Sequence, residues 1–175
     1  VIAISSAYSY KSVDDILRLA EERNEDPFII ILDEIEDPHN LGAIMRTAEC
    51  AGAHGIIIPK RRSVGLTSTV SKTSAGAIEY IPVARVTNIN NTIDELKKKN
   101  IWIYGAHMEG NYYYQQNLEG PIAIVIGSEG KGISRLTKEK CDFLIKIPMK
   151  GKVSSLNASV ATSIITYEVV RQRGV

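Results

Sequence analysis

The sequence predicts an α/β protein with a mostly parallel sheet and helices on both of its faces. Two observations carry this prediction: short β-rich runs alternate with helical patterns along the whole chain, and most of these runs are continuously apolar. A continuous apolar run is typical of a strand that is covered on both faces, and strands that alternate with helices are typical of a parallel sheet.

The elements follow one another in a regular order. Strands are expected at 28–32, 55–59, 80–86, 101–105, 121–127 and 143–148. Helices are expected at about 40–52, 66–75, 91–99, 134–141 and 157–172. In the last helix, apolar residues recur three and four positions apart, and only Glu168 interrupts their face.

The first 27 residues differ from the rest. They combine a short apolar start, an acidic helix near 13–23 and the turn sequence NEDP. We therefore expect a linker or arm over 1–27 and one domain over 28–175, since 175 residues suffice for one domain with a real core.

Composition limits the class of protein. The apolar content of 44% fits a soluble globular protein, no run reaches the roughly 20 apolar residues of a membrane helix, and no leader pattern opens the chain. A cytoplasmic location is expected. Cys50 and Cys141 fall in helical segments and are expected as core cysteines, while the three histidines are scattered. The sequence therefore predicts no metal site.

Charge is distributed unevenly along the chain. Residues 1–58 carry 4 Lys and Arg against 11 Asp and Glu, whereas residues 59–175 carry 17 against 9. This division is compatible with a surface that binds a polyanion such as RNA. Seven basic residues are candidates for contacts with RNA phosphates, namely Lys60, Arg61, Arg62, Lys131, Arg135, Lys150 and Lys152.

Three loops rich in glycine and amide residues follow predicted strands. In LDEIEDPHNLGAIMRTAECAG, Pro38 enforces a turn and a helix begins near Asn40, which is either its N-cap or a site residue. Arg46 follows on the same helix, as either a site residue or a surface cation. His39 is expected to be structural.

The second loop, IVIGSEGKGIS, has glycines at 127, 130 and 132, which permit unusual backbone geometry and close approach of a ligand. It does not match GxxxxGK[ST], because Gly132 follows Lys131, and it is not GxGxxG. Glu129 at its centre would repel phosphate, which argues against a nucleotide triphosphatase.

The third loop lies in IPMKGKVSSLNASVATSIITYE. Ile147 and Met149 offer apolar walls, while Ser155 and Asn157 place polar groups at the entrance of a helix. One capping residue satisfies a helix entrance, so the surplus indicates a site. Apolar walls beside polar groups suit a purine nucleoside.

Together the three loops resemble the motifs of the SpoU, or TrmH-like, branch of the SPOUT RNA 2'-O-methyltransferases, in order, over about residues 28–173. Within that branch the likeness is to bacterial 23S rRNA guanosine 2'-O-methyltransferases. The resemblance implies an α/β domain with a C-terminal deep trefoil knot, S-adenosylmethionine as cofactor, RNA as substrate and a homodimer. It also implies that residues 1–27 are the remnant of a connection to an N-terminal RNA-binding domain.

The resemblance also implies roles for individual residues. The catalytic group would comprise Arg46, Asn40, Glu129, Ser155 and Asn157. The cofactor would be held by Gly127, Ile147, Met149 and Leu156. Arg46 would act on the ribose hydroxyl, either as a base or as a charged group that stabilises the alkoxide; guanidinium groups rarely lose their proton, which favours the second role.

Three alternatives stay open at this point. The chain could methylate tRNA in place of 23S rRNA, or it could be an inactive SPOUT-like module that binds RNA only. A Rossmann-type oxidoreductase is disfavoured because no GxGxxG follows the first strand.

The segment NYYYQQ at 111–116 either stacks on bases or packs as a loop.

Overall fold

Six strands form one sheet in the computed structural model, which describes residues 8–174. All pairs of neighbouring strands are parallel, and their order is β3-β2-β1-β5-β4-β6. The strands are β1 (Phe28–Asp33), β2 (Gly55–Pro59), β3 (Val83–Val86), β4 (Trp102–Tyr112), β5 (Ile122–Gly127) and β6 (Phe143–Lys146). The predicted parallel α/β class is confirmed.

Among residues 8–174, one α-helix precedes the first strand and five more connect or follow the strands. They are α1 (Val13–Glu22), α2 (Pro38–Cys50), α3 (Ser68–Thr73), α4 (Ile89–Lys98), α5 (Arg135–Lys140) and α6 (Ala158–Gln172). Within residues 8–174, no helix is long and apolar enough to cross a membrane. The predicted trefoil knot stays a prediction.

The sheet separates two apolar cores, as its continuous apolar strands predict. Ile30 and Leu32 of β1 point to the core that α2 and α6 cover, whereas Ile29 and Ile31 point to the core that α1 and α4 cover. β1 lies between β2 and β5, so the strand order reverses its direction there. In parallel sheets, ligands bind beyond the carboxyl ends of the strands at such a reversal.

The described part of the predicted arm packs on the sheet. α1 begins with a capping box of Ser12 and Asp15, and it buries Ile16 and Ala20. A Cβ at Gly55 of β2 would lie 2.4 Å from Cγ1 of Ile16, so the helix approaches the strand closely. The apolar start of the arm, at residues 1–7, lies outside the described residues.

Two strands differ from the prediction by three residues or more at one end. β3 begins at Val83 and not at 80, because residues Ala77–Glu79 form a short 3-10 helix that turns into the strand at Pro82. β4 extends well past 105 to Tyr112, and its pairing with β6 is interrupted between Ala106 and Asn111. Residues 107–110 therefore bulge from the strand, which the apolar run alone could not indicate.

The two cysteines occupy different environments. The prediction of a core position is wrong for Cys50, which is exposed at the end of α2. Cys141 is partly buried, and its thiol donates a hydrogen bond to the carbonyl of Thr137. Burial raises the pKa of the Cys141 thiol to about 12, so this cysteine is unreactive at neutral pH.

A buried histidine joins β1 to the loop between α1 and β1. Nδ1 of His54 accepts a hydrogen bond from the backbone N–H of Phe28 at 2.9 Å. Nε2 must therefore carry the proton, and it lies 3.2 Å from the carboxylate of Glu25. Burial is the main cause that lowers the pKa of His54.

This histidine predicts loss of stability at mildly acidic pH. An unfolded histidine takes up a proton near pH 6.5, and folded His54 does so only at lower pH. As the pH falls below about 6.5, the unfolded state therefore binds more protons, and the free energy of unfolding decreases until the lower folded pKa is reached. Urea unfolding at pH 7.5, 6.5 and 5.5 measures this change.

His54→Gln should lessen the decrease, because an amide can form both hydrogen bonds without titrating. His39→Ala serves as the control, since His39 is exposed and the decrease should persist there. An equal decrease in His54→Gln and the unaltered protein would contradict the assignment.

Candidate active site

A cavity of about 400 Å³ opens at the carboxyl ends of β5 and β6, beside the bulge of β4. Its apolar wall includes Ile126, Ile145, Ile147, Leu156, Ala161 and Ile165. All four residues predicted to hold a cofactor line it, namely Gly127, Ile147, Met149 and Leu156. The size and the apolar wall suit an organic ligand with a flat ring system.

The glycine loop after β5 forms one side of the cavity. Gly130 and Gly132 have positive φ angles of 80° and 67°, which the absence of a side chain permits. The N–H of Gly132 donates to the carbonyl of Ser128 at 2.8 Å, so the loop folds back on itself. A Cβ at Gly127 would lie 2.0 Å from the carbonyl carbon of Gly132. Gly127 is therefore required by the loop itself.

Asp33 holds the far end of this loop, and it was not among the predicted site residues. Its buried carboxylate accepts a hydrogen bond from the N–H of Ser134 at 2.8 Å. Asp33 lies directly opposite Gly127 in the pairing of β1 with β5. The available signal was a carboxylate at the end of a fully apolar strand.

Residues from all three loops meet in one hydrogen-bonded cluster. Oε1 of Glu129 accepts hydrogen bonds from the side-chain amides of Asn157 at 2.7 Å and Asn40 at 3.3 Å. It also accepts one from the backbone N–H of Ala158 at 3.4 Å. Asn157 in turn donates to Oδ1 of Asn40 at 3.1 Å. We call Asn40, Glu129 and Asn157 the amide–carboxylate cluster.

The crowded entrance of α6 divides its polar groups between two tasks. Oδ1 of Asn157 caps the helix by accepting from the N–H groups of Ser159 and Val160 at 2.9 and 3.3 Å. The amide nitrogen of Asn157 stays available for Glu129. Ser155 lines the cavity, is exposed, and forms no side-chain hydrogen bond with the other described residues.

Asn40 does not cap α2, so that alternative is wrong. The cap is Asp37, whose carboxylate accepts from the N–H of His39 at 2.8 Å, and the helix begins at Pro38. Because Asp37 performs this task, the side chain of Asn40 is free to join Glu129. His39 is exposed and contributes only its backbone.

Arg46 lies apart from the other predicted residues. It is exposed on α2, it does not line the cavity, and its guanidinium forms no hydrogen bond or ion pair with residues 8–174. The next residue, Thr47, hydrogen bonds to Ser163 of α6 at 3.0 Å. Arg46 therefore lies on the exposed surface beside the contact of α2 with α6.

The bulge of β4 forms another wall of the cavity, and its residues were not among the predicted site residues. His107 and Met108 line the cavity. Glu109 pairs with Lys138 of α5, and this contact is the main cause that lowers the pKa of the Glu109 carboxyl. A Cβ at Gly110 would lie 2.4 Å from the carbonyl carbon of Leu144, so only glycine fits where the bulge ends. The isolated glycines in GAHMEG were the signal for a bulge.

The candidate phosphate contacts lie in several places. Lys131 lines the cavity, whereas Lys60, Arg61 and Arg62 follow β2. Arg62 pairs with Glu34 at 3.2 Å and Arg135 with Glu139 at 3.3 Å. In the described part of the chain, no group of three or more histidine, cysteine, aspartate and glutamate side chains could hold a metal ion.

Comparison with known proteins identifies the family to which this chain belongs. The model of the SpoU rRNA Methylase family matches residues 27–167. YacO of Bacillus subtilis (strain 168) is 61% identical, over 99% of this chain and 70% of its own length. Its name describes a TrmH family tRNA/rRNA methyltransferase. A solved RNA 2'-O ribose methyltransferase is 25% identical, with a TM-score of 0.77 over 99% of this chain and 62% of that one.

A structure with a bound ligand is also similar. The SpoU methyltransferase AviRb from Streptomyces viridochromogenes, in complex with the cofactor AdoMet, is 31% identical with a TM-score of 0.80. The match covers 85% of this chain and 58% of AviRb, so the chain spans less than two thirds of the length of each of these two solved relatives. The resemblance of the three loops is confirmed by sequence and fold alike: the chain belongs to the SpoU rRNA methylase family of RNA methyltransferases.

Proposed function

We propose that this chain binds S-adenosylmethionine in the cavity and transfers its methyl group to a ribose 2'-hydroxyl of RNA. The observation that carries the proposal is the position of the amide–carboxylate cluster, whose Glu129 also lines the cavity. The AdoMet complex of AviRb and the 2'-O ribose activity named for another relative support it.

The cavity fits the proposed cofactor by the chemistry of its residues. Its apolar wall would hold the adenine ring, with Gly127, Ile147, Met149 and Leu156 as the cofactor-binding residues. S-adenosylmethionine supplies a methyl group on a positively charged sulfur. Attack by the 2'-oxygen forms the new C–O bond as the C–S bond breaks, and the hydroxyl proton passes to water.

The cluster would orient the reacting ribose. Glu129 already accepts three hydrogen bonds on Oε1, and its other oxygen, Oε2, can accept one from a ribose hydroxyl. Asn40 and Asn157 hold that carboxylate in place, and Ser155 offers a hydroxyl at the cavity rim. Positioning of this kind contributes to the rate by holding the reactants in the geometry of attack.

Arg46 would act from across a subunit interface. The outer face of α6 exposes Val160 and Tyr167, seven residues apart and 46% and 48% exposed. Arg46 lies on the neighbouring helix, outside the cavity of its own chain. We infer that a second copy of the chain covers this face, and that Arg46 of one copy reaches the ribose bound to the other.

The proposed dimer predicts the effect of one substitution. Tyr167→Arg places a charge in the interface, so we expect the solution mass to fall from that of a dimer to that of a monomer, as measured by light scattering. Tyr80→Arg is the matched control, because Tyr80 is 74% exposed and follows the short 3-10 helix Ala77–Glu79, so it is not part of the α6 face. A monomeric unaltered protein, or a dimeric Tyr167→Arg, would contradict the interface.

Guanosine of 23S rRNA is the proposed target, and tRNA is the alternative. The test combines calorimetry with S-adenosylmethionine and methyl transfer to 23S rRNA or tRNA from a strain that lacks the gene. We expect cofactor binding and 2'-O-methylguanosine in 23S rRNA, detected by mass spectrometry. Methylated tRNA alone would assign the alternative, and RNA binding without cofactor binding would indicate an inactive module.

A further inference from the structure

A second cleft lies beside the tyrosine-rich segment that follows β4. Its volume is about 470 Å³, and Tyr114, Gln115, Gln116, Glu119 and Arg171 are among its lining residues. Within residues 8–174, the side-chain amides of Gln115 and Gln116 form no hydrogen bond, so their donors and acceptors are available to a ligand. Glu119 and Arg171 carry opposite charges, so the cleft favours neither an anion nor a cation and suits a neutral polar group.

A row of stacked side chains connects this cleft to the cofactor cavity. Lys146 lines the cavity, and its Nζ lies 5.0 Å from the centroid of the Tyr112 ring. The rings of Tyr112 and Tyr114 are 5.4 Å apart and within 8° of parallel. Tyr114 then lines the cleft, so the row runs without a break from one site to the other.

The tyrosines of this row differ in what they contact. Tyr113 packs against the main apolar core, which accounts for its presence by folding alone. Tyr114 is 46% exposed, and the edge-on ring of Tyr113 supports it at a centroid distance of 5.2 Å. An exposed ring that is held rigidly beside free amides is the arrangement by which proteins stack and read unpaired bases.

We propose that Tyr114 and this cleft bind an unpaired base of the RNA, next to the nucleotide whose ribose enters the cavity. The proposal rests on the proposed function, since it assigns a place to a second part of the same substrate. Stacking on Tyr114 would supply affinity, and Gln115 and Gln116 would contact the edge of the base. The row of Lys146 and Tyr112 would separate this base from the reacting nucleotide.

The test measures methyl transfer to 23S rRNA that is purified from a strain lacking the gene. Four proteins are compared, each as the full chain. These are the unaltered protein, Tyr114→Ala, Tyr114→Phe and the exposed control Tyr80→Ala. Loss of a stacked base costs about tenfold in affinity, so Tyr114→Ala should raise the KM for RNA about 10-fold at unchanged kcat. Tyr114→Phe keeps the ring and should stay within about twofold of the unaltered protein.

Calorimetry separates this proposal from the proposed function on which it rests. The probe is S-adenosylhomocysteine, the stable product that S-adenosylmethionine leaves after methyl transfer. All four proteins should bind this probe equally, and their melting temperatures should agree. An active unaltered protein with an unchanged KM in Tyr114→Ala would overturn the base site alone. An unaltered protein that neither binds the probe nor methylates RNA would overturn both proposals. Loss of probe binding in Tyr114→Ala would also overturn the base site, since the residue would then be structural.

Discussion

Arg46→Ala is expected to lower the kcat of methyl transfer about 100-fold to 1,000-fold, the usual effect of removing a group that stabilises a developing oxyanion. The 2'-oxygen gains negative charge as its proton leaves, and a guanidinium that stays protonated stabilises that charge. Binding of S-adenosylmethionine should be unchanged, because Arg46 does not line the cavity. Single-turnover kinetics and calorimetry measure the two effects separately.

Two further variants sharpen this test. Arg46→Lys keeps the charge and should retain part of the activity, whereas Arg18→Ala removes an exposed arginine from α1 and should have no effect. Mixed dimers of an Arg46→Ala subunit with a Glu129→Ala subunit test whether Arg46 acts across the interface. If it does, the site of the Arg46→Ala subunit keeps its own Glu129 and receives Arg46 from the partner, so one active site has both groups intact. If Arg46 acts within its own chain, neither site has both groups. Normal turnover in Arg46→Ala would remove this residue from the mechanism.

Gly127→Ala is expected to weaken binding of S-adenosylmethionine about 100-fold and to destabilise the fold by about 1–3 kcal/mol. The added Cβ would lie 2.0 Å from the carbonyl carbon of Gly132 and 2.2 Å from the nitrogen of Ile133. Both are backbone atoms, so the loop that carries Glu129 must move. Calorimetry measures the affinity, and urea unfolding measures the stability.

Gly120→Ala is the matched control for this substitution. No atom lies within 4 Å of a Cβ at Gly120, and this glycine has no positive φ angle. We expect affinity and stability within experimental error of the unaltered protein. Equal behaviour of Gly127→Ala and Gly120→Ala would show that the glycine loop does not shape the cavity.

Much of the sheet was predictable because burial on both faces leaves a plain signal. The isoleucine-rich runs at 28–32 and 55–59 became β1 and β2 with ends within one residue of the prediction. The bulge of β4 was not predictable from its apolar run, since Gly110 is fitted to the backbone of Leu144 on another strand. Sequence periodicity carries no information about such a contact between strands.

The site was predictable in part for a similar reason. Helix capping explained one polar group at the entrance of α6, so the remaining ones indicated a second task. The same argument failed at Asn40, because both Asp37 and Asn40 are residues that cap helices and only geometry decides between them. Arg46 could not be placed at all, since its own chain offers it no partner among residues 8–174.

The amide–carboxylate cluster has a consequence for how the protein acquires its activity. It joins residues that are 89 and 117 positions apart in the chain. Contacts of such long range close late in folding, because the entropy of a large loop opposes them. A partly folded chain therefore lacks the complete site, and a ligand that binds this site stabilises only the native state. On the proposed function, S-adenosylmethionine therefore stabilises only the folded chain, and methyl transfer to RNA requires that α6 has docked.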